Sequence, residues 1–286
     1  MDRQRNRASL PIALFFMTFV FLVSACSGKP DARQGNVAPT ASVAVPQEKP
    51  FSYTMRSISK IYNNGRNSGD EQSYCKCRYP VFSGGAHADD VNRMLQSYIA
   101  DSTAISPGDG NSRGGKSIEL LADEFLKDYE GFRKEFGSEL PYQFDLSCSV
   151  PLNRPGYLTV DISWDAYTGG AHGMHHTEFL VFDTATGKRL KPEDVFVPGF
   201  ATVLNRLIDA KFRQMKGLLK TERLDGEKGT LFENVIRHND NFALGDKGIV
   251  FFYNEYEIAA YAFGPTEIEL VYGELQDILK PAFRSL

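Results

Sequence analysis

The sequence predicts an α+β fold, with a mostly antiparallel sheet and amphipathic helices packed on one face. Several segments alternate apolar and polar residues as half-buried strands do, and residues 157–167 alternate over their whole length. These segments are separated by turns rich in Pro, Gly or Asp, which favours hairpins. Three further segments carry apolar residues at helical spacing. Strands outnumber helices and cluster in hairpins, which is typical of the α+β class.

Alternation identifies each predicted strand. In residues 157–167, Leu158, Val160 and Ile162 share one face and polar residues share the other, so one face is expected to be buried and one solvated. Residues 142–150 precede this strand across a turn that contains Pro155 and Gly156, and together they predict a hairpin. The other predicted strands are residues 51–62, 72–82, 177–182, 248–253 and 267–272.

Apolar residues at helical spacing predict helices over residues 89–99, 117–136 and 200–215, and a helical turn at 274–279. The strongest helix starts after Ser117, a good N-cap residue, and stops at Gly137. Its aromatic and aliphatic stripe is expected to be core, and comprises Leu121, Phe125, Tyr129, Phe132 and Phe136.

Composition limits the classes of function. The 286 residues are 42% hydrophobic and carry 36 Asp and Glu against 32 Lys and Arg, for a formal charge of −4. An acidic chain lacks the clustered cations that bind a phosphate backbone, so no nucleic-acid partner is expected. Only one long apolar run exists in the sequence, which excludes a membrane protein with several spans.

The N-terminus predicts export and a lipid anchor. Arginines followed by an apolar run make residues 1–25 a signal peptide. The following residue is Cys26, and the string from Val23 to Cys26 resembles the bacterial lipobox. That resemblance implies acylation of Cys26 and attachment on the extracytoplasmic side of a membrane, at the outer membrane facing the periplasm if the cell has one. Residues 26–50 have no aromatics before Phe51 and predict a flexible tether.

Three further cysteines, Cys75, Cys77 and Cys148, would lie in an oxidising compartment, where a disulfide is the default. Cys75 and Cys77 are two residues apart on one predicted strand, at or beyond bridging distance. We therefore expect one of them to pair with Cys148, with Cys77 favoured over Cys75. A Cys-x-Cys metal site is the weaker alternative.

A glycine-rich loop with three histidines is the one polar concentration with possible chemistry. It runs from Tyr167 to His176 and includes Gly169, Gly170, His172 and Gly173, whose glycines are expected to supply positive φ. The string Gly-Gly-Ala-His recurs at residues 84–87, so the two loops could meet and hold a metal with His87 and His172, aided by Asp89 or Glu178. A structural histidine or a partner contact is the favoured interpretation. No cofactor and no bound metal are expected.

Recognisable catalytic motifs are missing from the sequence: it has no nucleophile elbow, no zinc-binding His-Glu-x-x-His helix and no phosphate-binding loop. We therefore expect a protein that is not an enzyme.

The sequence resembles one known family in four strings, at residues 167–173, 182–187, 190–196 and 251–264. It is similar to the extracytoplasmic domain of unknown function shared by the lysozyme-sensing anti-sigma factor RsiV and the non-catalytic region of the peptidoglycan deacetylase PdaC. The resemblance divides the body into a PdaC-like half, residues 51–150, and an RsiV-like half, residues 151–286. One departure is Ala260, where the family has proline.

The family resemblance implies a non-catalytic α+β binding module whose partner is a lysozyme-type muramidase or peptidoglycan. Its candidate binding loop is that of Tyr167, Gly169, Gly170, His172 and Gly173. The alternative is a metal-binding protein or metal-dependent hydrolase that uses the two Gly-Gly-Ala-His loops.

Overall fold

The computed structural model describes residues 49–62, 72–105, 115–137 and 140–286. The predicted signal peptide, Cys26 and nearly all of the predicted tether lie outside these ranges. The described residues all belong to one compact unit. Within the described ranges, the helices are too short or too polar to cross a bilayer.

Five strands form the larger sheet, in chain order from one edge to the other. Neighbours are antiparallel except for β2 and β3, which are parallel because the chain between them crosses over through two helices. This confirms the predicted α+β class with a mostly antiparallel sheet. The strands are β1 (Ser52–Ile61), β2 (Tyr74–Ser83), β3 (Gln143–Arg154), β4 (Tyr157–Tyr167) and β5 (Met174–Asp183).

The crossover helices α1 (Ala88–Ser102) and α2 (Ile118–Phe136) cover one face of this sheet. The Ser117 hydroxyl accepts a hydrogen bond from the Leu120 amide, and Gly137 ends α2 in the left-handed conformation, as the sequence predicts. Most of the predicted α2 stripe is core, but Phe136 is 64% exposed, because it lies in the last turn beyond the edge of the sheet contact.

A second, smaller layer is built from the rest of the chain. Strands β6 and β8 both pair with β7 in an antiparallel three-stranded sheet, and α4 packs against β8. The two short elements β6 and α3 have no counterpart in the sequence prediction, because three or four residues are too few to show a period. The elements are α3 (Pro192–Val195), α4 (Ala201–Lys216), β6 (Phe242–Leu244), β7 (Gly248–Tyr253), β8 (Thr266–Val271) and α5 (Tyr272–Leu275).

The larger sheet is buried on both faces near the β3–β4 turn. Leu158 and Phe182 face α1 and α2, whereas the adjacent Val181 joins the core of the second layer. Fully buried Thr159 donates its hydroxyl hydrogen to the carbonyl of Leu244 in β6, at 2.8 Å. A register shift in β3 between Ser149 and Leu152 turns Leu152 into the same second core. The two layers therefore share β3, β4 and β5.

The predicted Cys77–Cys148 disulfide is not formed in the structure, where Cys75, Cys77 and Cys148 are all buried and free. Cys77 pairs with Leu146 across the parallel ladder, which places Cys148 two residues further along its strand. Diagonal neighbours of this kind lie about 7–8 Å apart at Cα, beyond the usual span of a disulfide. A hydrogen bond with Cys77, and then burial, raises the pKa of the Cys75 thiol, and burial raises the pKa of Cys148.

Candidate binding surface

The predicted binding loop connects β4 to β5 and exposes His172. Gly169 and Gly170 have φ angles of +97° and +100°, as expected, and the Tyr167 hydroxyl donates a hydrogen bond to the Gly170 carbonyl at 3.1 Å. Gly173 was expected to need positive φ and does not adopt it. Space is nevertheless tight at this position, because a Cβ there would lie 3.1 Å from the Ala166 carbonyl oxygen.

His172 stacks on Tyr261, which comes from a 3₁₀ turn far along the chain. The ring centroids are 4.3 Å apart and the planes are inclined by 23°. The Tyr261 ring also stacks with Tyr256 at 5.7 Å and with His175 at 6.4 Å. The Tyr261 hydroxyl donates to the Gly173 carbonyl at 3.4 Å. These four rings form one continuous group, which we call the aromatic–histidine surface: His172, His175, Tyr256 and Tyr261.

Two asparagines from the second layer hold this surface together at the edge of the larger sheet. Asn241 accepts a hydrogen bond from the Phe179 amide at 2.9 Å and donates to the Thr177 carbonyl at 2.8 Å. Asn254 accepts from the Thr177 amide at 2.8 Å and donates to the same carbonyl at 3.0 Å. The side chains thus take the place of a neighbouring strand on β5, and they fix the 254–264 loop beside the 168–173 loop.

Exposed apolar side chains adjoin the aromatic–histidine residues in the sequence. Tyr256 is 59% exposed, and Met174 and Phe263, which are close in sequence to His175 and Tyr261, are 47% and 54% exposed. Tyr256 also has a φ of +65°, an uncommon conformation for a residue other than glycine, and its amide donates to the Ala259 carbonyl. Exposed apolar groups collected in one place mark interaction sites.

Carboxylates border the aromatic–histidine surface. Asp165 is hydrogen-bonded to His175 Nδ1. Glu257 accepts from the Asn239 amide group at 2.6 Å and from the Asn254 backbone at 3.0 Å, so its position is fixed. Glu255 and Glu257 both act electrostatically on His176 from across the loop. Acidic residues therefore adjoin the aromatic–histidine surface through Asp165 and on either side of Tyr256 in the sequence.

His176 lies on the opposite face of β5 from His175, as two successive strand residues must. It stacks on Trp164 with centroids 5.6 Å apart. Burial lowers the pKa of His176, although Glu257 and Glu255 oppose that effect. The nearby Glu178 forms an ion pair with Arg189 at 2.5 Å.

Acid should therefore destabilise the protein in part through His176. The unfolded chain binds a proton at this position more readily than the folded chain does, so protonation favours unfolding. We expect the free energy of unfolding to fall between about pH 7.5 and about pH 5.5, around the ordinary pKa of histidine, and His176→Gln to reduce the fall. Urea unfolding of both proteins across this range measures it. An unchanged pH dependence in the variant would contradict the assignment.

The two Gly-Gly-Ala-His loops do not meet in the structure, so the prediction that they could face each other is wrong. β2 is parallel to β3, which is antiparallel to β4, so the turn after β2 and the loop after β4 lie at opposite ends of the sheet. His87 instead contacts Asp90 at 2.9 Å, beside Gly187. The described residues contain no group of three or more His, Cys, Asp or Glu side chains arranged to hold a metal ion.

The sequence alone did not identify Tyr256 and Tyr261 as parts of the site. They belong to the aromatic-rich 251–263 segment, in which Phe251 and Tyr253 are core, as their alternation indicates. Contact between Tyr261 and the 168–173 loop is made across 88 residues of sequence, for which a single sequence offers no signal.

The fold is that of an α+β domain protein in which two sheets share one body. Residues 193–273 match the family described as a protein of unknown function, DUF3298, and residues 67–175 match the family described as deacetylase PdaC. The chain thus has one region that matches DUF3298 and one region that matches PdaC, which confirms the family resemblance found in the sequence. A search of curated proteins finds no match.

Two crystal structures of DUF3298 family members share the fold. The protein from Bacteroides fragilis has a TM-score of 0.63 at 20% identity, over 82% of this chain and 95% of that one. The protein from Pseudomonas aeruginosa has a TM-score of 0.59 at 20% identity, over 82% of this chain and 97% of that one. At this identity the likeness establishes the architecture.

Proposed function

We propose that the protein is a cell-envelope lipoprotein that binds a lysozyme-type muramidase through the aromatic–histidine surface and performs no reaction there. The stacked, half-exposed rings of His172, Tyr256 and Tyr261 carry this proposal. Tyrosine supplies large contact area with little loss of conformational freedom and is enriched in the centres of protein interfaces.

Charge supports a basic partner. Asp165 is hydrogen-bonded to His175, Glu255 and Glu257 flank Tyr256 in sequence, and the whole chain has a formal charge of −4. Muramidases of the lysozyme type are basic, so attraction between opposite charges would speed the encounter and favour this orientation. In this proposal, an acyl anchor on Cys26 keeps the binding surface at the membrane, outside the cytoplasm.

Calorimetry tests the proposal with the mature chain, residues 26–286, carrying Cys26→Ser so that it cannot be acylated. We expect egg-white lysozyme to bind at about 50 mM salt and to bind more weakly at about 500 mM, because salt screens the attraction between charged surfaces. Soluble peptidoglycan fragments are titrated in parallel. If the fragments bind and lysozyme does not, the partner is the wall glycan and not a muramidase. Binding of neither would refute the proposal.

A further inference from the structure

The end of α4 and the loop that follows expose apolar side chains far from the aromatic–histidine residues in the sequence. Met215 is 51% exposed and Leu219 is 69% exposed, the largest value among the exposed large hydrophobic residues of the described chain. We call residues 211–220 the α4 tip. Leu218 beside them is only partly buried and lines a shallow groove with Leu207 and Ala210 on the outer face of α4.

Hydrogen bonds hold the α4 tip in a defined conformation. Gly217 ends the helix with a φ of +64°, and the Leu218 amide donates to the Arg213 carbonyl at 2.8 Å. The Arg213 guanidinium donates to the carbonyls of Leu219 and Glu222 at 3.0 and 2.6 Å. The Glu222 carboxylate accepts from the Leu219 amide at 2.6 Å. Leu219 is therefore exposed to solvent on a loop whose conformation is fixed by hydrogen bonds.

The same region is strongly basic in an acidic chain. Residues 206–220 contain five Lys and Arg and a single acidic residue, Asp209. Asp209 is committed to Arg213, with 2.6 Å between the carboxylate and the guanidinium. The remaining four cations have no carboxylate within ion-pair distance in the described part of the chain, whereas the neighbouring Arg223 and Lys228 are paired. These four are Arg206, Lys211, Lys216 and Lys220.

We propose that the α4 tip docks on the surface of an anionic phospholipid bilayer. Exposed Leu and Met inside a group of unpaired cations suit such a surface, because apolar side chains enter the headgroup region while lysines contact lipid phosphates. Lysine stems can lie along apolar surface while the ammonium groups stay at the phosphates. Charge complementarity selects this occupant, because the bilayer surface is anionic and four cations of this region have no carboxylate partner among the described residues.

The predicted anchor makes this docking feasible. A tether of residues 26–50 would span up to about 80 Å when extended, so a body anchored through Cys26 could turn any face to the same bilayer. Contact through the α4 tip would then fix one orientation of the body. This goes beyond muramidase binding and does not depend on it.

Vesicle flotation tests the docking surface. The mature chain with Cys26→Ser is mixed with vesicles of phosphatidylcholine alone or with added phosphatidylglycerol, so that no acyl chain contributes. We expect flotation with the anionic vesicles only. Replacing Lys211, Lys216 and Lys220 with Gln should lower the partition coefficient about 100-fold, and Leu219→Ser about tenfold.

A matched triple variant separates the α4 tip from overall charge. Lys76, Lys127 and Lys247 are exposed lysines elsewhere, and their replacement with Gln removes the same charge. It should change flotation less than about twofold if docking is local. Tyr261→Ala should also float normally, which keeps this test separate from the proposed muramidase binding.

Several results would overturn the proposal: no flotation, equal flotation with neutral vesicles, or an equal loss in the two triple variants. Retention of the chain by a soluble polyanion such as heparin, without flotation, would also overturn it and would indicate an anionic macromolecule instead. Far-ultraviolet circular dichroism of every variant establishes that the fold is intact.

Discussion

Tyr261→Ala is expected to weaken lysozyme binding by at least about thirtyfold, which corresponds to about 2 kcal/mol. The Tyr261 ring contacts His172, His175 and Tyr256, so its removal takes away the centre of the aromatic–histidine surface. Tyr256 and His172 would then lose their stacking partner and the order it imposes. Calorimetry with the mature chain measures the change in affinity.

Two companion variants sharpen this prediction. Tyr261→Phe keeps the ring and loses only the 3.4 Å hydrogen bond to the Gly173 carbonyl, so we expect its affinity within about fivefold of the original. Tyr53→Ala removes another exposed tyrosine, whose ring on β1 packs against Phe82 at an interplanar angle of 53°, and should bind normally. Unchanged binding by Tyr261→Ala, or an equal loss in Tyr53→Ala, would move the partner to another surface.

Asn241→Ala is expected to lower the free energy of unfolding by about 2–4 kcal/mol. Asn241 is only 7% exposed, and its side chain satisfies both the Phe179 amide and the Thr177 carbonyl on the edge of β5. Alanine leaves the Phe179 amide without an acceptor and leaves the Thr177 carbonyl with Asn254 as its remaining donor, at a site that water reaches poorly. Urea unfolding followed by circular dichroism measures the loss.

Lysozyme binding should fall in the same variant, because Asn241 and Asn254 together fix the 254–264 loop beside the 168–173 loop. Thr202→Ala, at an exposed position of α4, is the control and should change stability by less than about 0.5 kcal/mol. If Asn241→Ala were as stable as the original protein, the β5 edge would not need this asparagine.

Elements with a clear local pattern follow from the sequence. Alternation predicts β4 and the face that carries Val160 and Ile162, which is buried in one core. It does not predict the burial of Thr159 on the other face, which was expected to be solvated and is covered by β6. α2 is predicted by its apolar stripe, by the Ser117 cap at its start and by Gly137 at its end. β5 is longer than predicted, beginning at Met174, because pairing with β4 continues along residues whose own sequence is not strand-like.

Contacts between distant segments do not follow from the sequence. Whether the His87 and His172 loops meet depends on the direction of β2, which is set by the crossover through α1 and α2. Whether two cysteines can pair depends on the register of β2 against β3. In the observed register Cys77 lies opposite Leu146, two residues from Cys148, and the sequences of the two strands do not distinguish this register from one shifted by two residues. The stacking of Tyr261 on His172 depends on how the second layer meets the β5 edge.

Amide hydrogen exchange of the mature chain, with and without saturating lysozyme, tests most directly whether the stacked rings are a recognition site. We predict slower exchange with lysozyme at residues 167–176 and 254–264, and unchanged exchange in β1 and α2. Protection confined to other segments, or no protection at saturation, would contradict a binding role for these rings.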